Sequence, residues 1–340
     1  MKNERNSHQE NQTWSVIKEP KNAKIIDSRW LFRMKDHNQF KARLVARGFQ
    51  QSYHENEEFY SPVAKSATLK MLLSISAVEN LHIHQMDVQT AFLNGKINET
   101  VYIKPPQCLE IKEGHCLKLN KALYGLRESP KKWYNCFDEF MISLNFKRSN
   151  LDCCLYFKRI NNEVIFLLIY VDDLIIVASD FDKLTEIKNN FKNRFKMKDI
   201  GEVDKYLGIK IERDKKNKLT KMNQSEYILS VAKKFNVFNS KLFETPMEIS
   251  LKLYPSDNVE SETLYRCLIG ALLYISINTR PDASFAVNYL SRFQNTCNET
   301  LYKYALRVLK YLLKTVDFCL VYNGHFNSSQ NVLSCFVDTD

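Results

Sequence analysis

Glycine and proline are scarce in this chain, 8 of each among 340 residues, so no long low-complexity linker is expected. Paired cysteine motifs are missing as well. The nine cysteines are an odd number without a CxxC spacing, and only Cys153 and Cys154 lie close together. That pattern argues against a disulfide scaffold or a cysteine-rich zinc site and reads as free thiols in a reducing, intracellular compartment. No apolar run reaches the roughly 20 residues that a membrane span needs. The best candidate, residues 164–178, is 15 residues long and carries two aspartates at its centre. The N-terminal segment MKNERNSHQE is too polar for a signal peptide. No repeat of 20–50 residues is visible.

What is present is an ordinary globular composition, 44% hydrophobic and 26% charged, in a chain long enough for one large domain or two to three smaller ones. The formal charge of +10 points to an anionic partner, although the same charge also serves solubility alone. Much of it lies at the front, where residues 1–50 hold 11 Lys and Arg against 5 Asp and Glu.

Periodicity places the motifs on elements. Residues 29–50, RWLFRMKDHNQFKARLVARGFQ, read as two strands joined by a turn around Asp36–Gln39. In the second strand Lys41, Arg43, Val45 and Arg47 alternate with Ala42, Leu44, Ala46 and Gly48, which puts three cations on one face. That face is either a phosphate-binding ribbon or a solvated strand surface. Residues 67–80 and 130–147 have helical apolar patterns, the second with Trp133, Phe137, Phe140 and Leu144 inward. His82 and His84 share a strand face, but no third metal ligand is near them in sequence, so a structural role is expected. KYLGIKIERD, with Leu207, Ile209 and Ile211 alternating, reads as one strand. From about residue 222 helices are expected over 225–236, 262–277, 282–294 and 299–314, with the apolar run VLSCFV at 332–337 entering a final DTD.

The stretch IFLLIYVDDLIIVAS, residues 165–179, poses the sharpest question. Adjacent carboxylates between two apolar runs repel each other and are costly to bury unpaired. A hairpin with Asp172 and Asp173 at its tip, facing divalent cations, makes the arrangement tolerable. A third carboxylate is expected from a neighbouring strand, and Asp87 in HQMDVQTAF is the best placed.

These segments resemble the reverse transcriptase of Ty1/copia-type retrotransposons. The matching blocks are KARLVARGFQQ (41–51), HQMDVQTAFLNG (84–95), LNKALYGLRESPKKWY (119–134), YVDD (170–173), MKDIGEVDKYLGIKI (197–211) and YRCLIGALLYISINTRPDASFAVNYLSRF (265–293), in family order and at family spacing. The resemblance implies an α+β fold, a right-hand polymerase with fingers and a ferredoxin-like palm followed by a helical thumb/connection. It implies fingers and palm over residues 1–221, thumb/connection over 222–325, and the start of a ribonuclease H-like domain over 326–340. The implied activity is RNA-directed DNA polymerisation, with dNTPs added to a primer 3′-hydroxyl on an RNA or DNA template. Two Mg²⁺ ions, or Mn²⁺ in their place, are implied as cofactors.

The implied roles fall on named positions. Asp87 and Asp172 would be the principal metal ligands, Asp173 would complete the acidic cluster or hold the turn, and the Val88 carbonyl would assist. Phe92 would lie beneath the sugar and disfavour a 2′-hydroxyl. Lys41 and Arg43 would grip the triphosphate, and Tyr124, Gly125 and Arg127 would pack against nucleotide and template. Asp338 matches the first ribonuclease H aspartate, and because no later ligands follow, no ribonuclease H activity is expected. The short front and the ending at FVDTD read as a polyprotein fragment. A catalytically silent remnant that at most binds nucleic acid is therefore the alternative. The expected setting is intracellular, cytoplasmic with access to the nucleus, and not membrane-bound.

Overall fold

The computed structural model describes residues 1–35, 39–52, 59–161, 163–255 and 262–325. The turn at residues 36–38 and the FVDTD segment with Asp338 lie outside the described residues. The chain adopts the mixed α+β class expected of it and divides into two compact units, residues 1–72 with 81–202, and residues 73–80 with 203–340.

The first unit runs α1 (Lys2–Glu10), β1 (Trp14–Lys18), β2 (Ile25–Ile26), β3 (Ser28–Lys35), β4 (Gln39–Ala46), α2 (Ser66–Val78, whose last turns group with the second unit), β5 (His82–Val88), β6 (Tyr102–Ile103), β7 (His115–Leu119), α3 (Ser129–Ser143), β8 (Lys147–Arg148), β9 (Leu155–Ile160), β10 (Glu163–Tyr170), β11 (Asp173–Ala178), α4 (Phe181–Arg194) and β12 (Met197–Glu202). Its main sheet has six antiparallel strands in the order β12-β5-β11-β10-β9-β8. Asp87 and Asp173 therefore lie on neighbouring strands of this sheet, β5 and β11.

One face of this sheet is closed by helices. Alternation along β5 puts His82, His84, Met86 and Val88 on one side and Ile83, Gln85 and Asp87 on the other. The Phe181 ring at the start of α4 lies 5.5 and 5.7 Å from the rings of His82 and His84, so α4 covers the histidine side. His84 Nδ1 meets the buried Lys188 ammonium at 2.7 Å, and Lys188 also donates to Asp199 at 2.7 Å. The histidines thus take the structural role expected of them. An aromatic layer joins α3 to α4: Trp133 and Phe140 meet Phe195 edge-on, and Phe137 stacks on Phe191. The apolar spacing of both helices is what builds it.

A second sheet, β1-β7-β6-β2, and the two-stranded ribbon β3–β4 complete the unit. Ile26, Leu44, Ala46, Leu93, Ile103 and Leu117 form the core that joins this sheet to the base of the ribbon. Across the ribbon Arg33 pairs with Lys41 and Leu31 with Arg43, so β3 adds Arg29 and Arg33 to the cationic face expected from β4 alone. Asp152, on a distant loop, starts α2: its Oδ2 accepts from Lys65 N at 3.0 Å and from Thr68 Oγ1 at 2.5 Å.

The second unit holds β13 (Lys205–Tyr206), β14 (Ile209–Asp214), β15 (Leu219–Asn223), α5 (Ser225–Lys234), α6 (Glu262–Asn278), α7 (Ser284–Ser291), α8 (Glu299–Lys314) and β16 (Leu320–Asn323). The strands form one antiparallel sheet in the order β13-β14-β15-β16. KYLGIKIERD is therefore not one strand. Leu207 (φ +50°) and Gly208 (φ +81°) make a two-residue turn within it, the left-handed pair that a tight hairpin requires. The helices pack around Leu268, Leu272, Val287, Leu290, Val308 and Leu312, all fully buried.

Candidate active site

The site is built where β5 ends and the β10–β11 hairpin turns. Tyr170 pairs with Asp173, leaving only Val171 and Asp172 in the loop. The two aspartates are thus not both at the tip, because Asp173 already belongs to β11. Three contacts fix the loop. Val88 N donates to the Asp172 carbonyl at 2.8 Å, tying it to the end of β5. Trp133, itself buried, donates from its indole Nε1 to the Val171 carbonyl at 2.6 Å. The register places Asp173 directly opposite Asp87. Val171 sits at φ +57°, a region costly for a β-branched residue, by about 1–3 kcal/mol. Such a turn persists only because its surroundings over-determine it.

A recess of about 510 Å³ opens at this point, lined by Asp87, Val88, Gln89, Thr90 and Asp172 on one side and by Phe40, Lys41, Ala42 and Arg43 of the ribbon on another, with Tyr124 between. Helix α1 supplies a further wall through Met1, Lys2, Asn3, Glu4 and Ser7. The Arg43 guanidinium lies 5.3 Å from the centre of the Tyr124 ring. Burial pushes the Tyr124 hydroxyl up to about 12, against the pull of Arg43, so it stays a neutral phenol. Glu4 accepts from Leu44 N at 3.4 Å, and its carboxyl is raised by burial in spite of the nearby Arg43 and Lys41.

Four of the expected residues sit just behind this lining. Phe92 packs against Tyr124 with the rings tilted and their centres 4.7 Å apart, and it faces a smaller cavity with Pro62, Trp133 and Val171. Gly125, at φ +91°, is pressed against β4: a Cβ there would lie 2.1 Å from the Ala46 carbonyl oxygen. Its close backbone approach is made to β4. Arg127 is fixed by its backbone N, which donates to Gln51 Oε1 at 3.1 Å. Asp173 Oδ1 accepts from Gln85 Nε2 at 3.2 Å.

Sequence reasoning missed Gln85, the α1 wall and the Trp133 anchor. Gln85 is 5% exposed and its Oε1 has no hydrogen-bond partner. An orphaned buried oxygen costs about 1–3 kcal/mol. A tryptophan needs a partner for its N–H when buried, which was the available clue to the anchor. The α1 segment is polar throughout and gave none.

The donor chemistry suits Mg²⁺. Asp87 and Asp172 present hard carboxylate oxygens to one recess. Among the described residues no group of three or more His, Cys, Asp or Glu side chains is placed so that it could hold a metal ion. Mg²⁺ is commonly held by one or two carboxylates, with waters and substrate phosphates completing its shell. Lys41 and Arg43 line the same recess as candidate partners for phosphate.

Comparison with known proteins identifies the family. The family model described as "Reverse transcriptase (RNA-dependent DNA polymerase)" matches residues 11–249, which include every block of the recess wall from β4 to β11. The chain belongs to the reverse transcriptase family. Among relatives of this reverse transcriptase domain, the retrovirus-related Pol polyprotein from transposon TNT 1-94 of Nicotiana tabacum is 34% identical over all of the chain, and that from transposon RE1 of Arabidopsis thaliana is 33% identical, also over all of it. The chain spans 27% and 23% of those two proteins, about a quarter of their length. The putative transposon Ty5-1 protein YCL074W of Saccharomyces cerevisiae is 32% identical over 74% of the chain and 82% of its own length. A foamy viral protease-reverse transcriptase solved with double-stranded DNA is 10% identical, with a TM-score of 0.45 over 90% of this chain and 46% of the other. Among the described residues no helix is long and apolar enough to cross a membrane.

Proposed function

We propose that this reverse transcriptase domain is an active RNA-directed DNA polymerase of the copia type, adding dNTPs to a primer 3′-hydroxyl at the β5–β11 recess. One observation carries the reading: two carboxylates from separate sequence blocks, Asp87 and Asp172, line the same recess as Lys41 and Arg43. Asp87 and Asp172 would hold two Mg²⁺ ions, with Asp173 and the Val88 carbonyl assisting. When bound, such a pair of ions acidifies the primer hydroxyl and neutralises charge on the departing pyrophosphate. Lys41 and Arg43 would bind the triphosphate, and the neutral Tyr124 phenol would form the floor beneath the nucleotide. Phe92 backs that floor, and its bulk would keep Tyr124 from yielding to a 2′-hydroxyl. Gly125 and Arg127 set the loop along which the template base would lie. The helices of the second unit would act as thumb and connection on the primer–template duplex, gripping its backbone and shape.

The test is primer extension on oligo(dT)-primed poly(rA) with Mg²⁺ or Mn²⁺. Wild type would be compared with Asp172→Asn at matched circular dichroism. The expected outcome is incorporation by the wild type and a loss of at least about a hundredfold in the variant. A well-folded wild type that incorporates nothing with either metal sinks the proposal.

A further inference from the structure

Helix α1 walls the recess without an apolar face to hold it there. Its nine residues, KNERNSHQE, carry no hydrophobic side chain, and so short a polar helix is marginal by itself. The C-terminal half is well tied. His8 is buried with its ring 4.6 Å from that of Trp14, its Nδ1 lies 3.1 Å from Thr13 Oγ1, and Thr13 N donates to the His8 carbonyl at 3.0 Å. The first turn, with Lys2, Asn3 and Glu4, lines the recess together with Asp87 and Asp172. Its ties are weaker. The Glu4 side chain is 10% exposed and accepts from Leu44 N at 3.4 Å, a long bond, and Arg5 adds an exposed bond of 3.3 Å to the Cys108 carbonyl.

The place that Glu4 takes is suited to an anion. β4 is one edge of a two-stranded ribbon, so alternate N–H groups point away from β3, and those of Leu44 and Ala46 donate to Glu4 and to the Tyr124 carbonyl. Lys41 and Arg43 stand on the same strand, and both attract the Glu4 carboxylate. A backbone N–H beside two cations is chemistry that receives a phosphate oxygen. Helix α1 lies ahead of residues 11–249, the span that the family model matches, so the match does not account for this carboxylate.

We infer that Glu4 is an internal competitor of the incoming triphosphate. Its carboxylate holds one anion position on β4, and a triphosphate that reaches Arg43 meets a like charge there. Nucleotide entry therefore lifts the first turn of α1 off β4, while His8 and Thr13 keep the other end in place. The helix is a strap that weakens the hold of the recess on any polyphosphate. This rests on the polymerase reading.

The experiment uses the full chain and two readouts. Isothermal titration calorimetry without added metal measures the binding of inorganic tripolyphosphate. Primer extension on oligo(dT)-primed poly(rA) with Mg²⁺ gives KM and kcat for dTTP. Glu4→Gln should bind tripolyphosphate about tenfold more tightly and lower the KM for dTTP to a similar extent, with kcat little changed. Glu4→Ala should do the same, and it serves in place of Glu4→Gln should that variant not fold. Glu10→Gln removes an equal charge from the other end of α1, where Glu10 pairs with Lys196 in solvent, and should change neither value. Hydrogen exchange over residues 3–8 should speed up when tripolyphosphate is added to the wild type. Unchanged or weaker binding in the Glu4 variants, an equal gain from Glu10→Gln, or exchange that does not speed up overturns the role of Glu4. Wild-type primer extension upholds the polymerase in each of those cases. Tripolyphosphate binding that responds to Glu4 in a chain that extends no primer overturns the polymerase reading alone.

Discussion

Two glycines from distant blocks meet just past the end of β4. A Cβ on Gly48 would lie 2.1 Å from the Gly125 carbonyl oxygen, and one on Gly125 would lie 2.1 Å from that of Ala46. The contact is sealed by Ala46 N donating to the Tyr124 carbonyl at 2.8 Å. The motifs KARLVARGF and ALYGLRES are therefore one structure, in which the strand bearing Lys41 and Arg43 is bolted to the loop bearing Tyr124. Gly125→Ala should destabilise the fold by about 3 kcal/mol, from the clash and the left-handed backbone together, as read by urea unfolding. At this scale much of the site was legible. Asp87, Asp172, Lys41 and Arg43 stand out because charge beside apolar strands demands an explanation. The partner of Gly125 was not legible, since nothing in a linear pattern says which backbone a glycine will touch. The placement of Asp173 failed for a related reason: adjacent aspartates look alike until the register assigns one to the turn and one to the strand.

Elements divide in the same way. Long amphipathic helices such as α3, α4 and α8 declare themselves through apolar spacing. The strands β2 and β6 have two residues each, too few for any period, and their sheet was invisible beforehand. The β13–β14 hairpin was read as one strand because Leu207 keeps the alternation going through its own turn. In the second unit the junction of α6, α7 and α8 depends on Arg280, which is 1% exposed. Its guanidinium donates to Asp282 through Nε and Nη2 and to the Thr315 carbonyl at 2.9 Å, while Tyr311 donates to the same Asp282 at 2.7 Å. Arg280→Met should cost about 3 kcal/mol in urea unfolding, because Asp282 loses its charged partner and keeps only the Tyr311 hydroxyl, while the Thr315 carbonyl loses the guanidinium. Arg280→Lys should recover only part of it, a point charge being unable to serve both acceptors in the fork geometry. Helix α1 carries a different liability. Burial drives His8 down to about 4, and the Glu4 carboxyl 3.7 Å away is itself raised by burial. The unfolded chain binds a proton near the ordinary 6.5, so between that pH and about 4 the unfolded state holds more protons. Stability is full above that range and falls as pH drops through it. Melting temperatures at neutral and mildly acid pH should diverge more for wild type than for His8→Gln.

For the molecule as a whole, the net charge of +10 and the cationic ribbon imply that polyanion binding is driven by counterion release. Affinity for an RNA–DNA primer–template, followed by fluorescence anisotropy, should fall by about a hundredfold or more between about 50 and 200 mM salt. The logarithmic plot should be linear and nearly independent of base sequence. The two compact units divide between residues 202 and 203, ahead of residue 222 where the sequence turns mainly helical, because the β13–β16 sheet groups with the helices. Composition marks a change of secondary structure, whereas contacts decide where a body ends. The anchor on the β10–β11 turn has one more consequence, for spectroscopy. Only three tryptophans occur in the chain, and one of them, Trp133, is buried with its indole N–H on the Val171 carbonyl. With Trp14 and Trp30 changed to Phe, the emission of that single indole becomes a built-in optical reporter of the turn that carries Asp172.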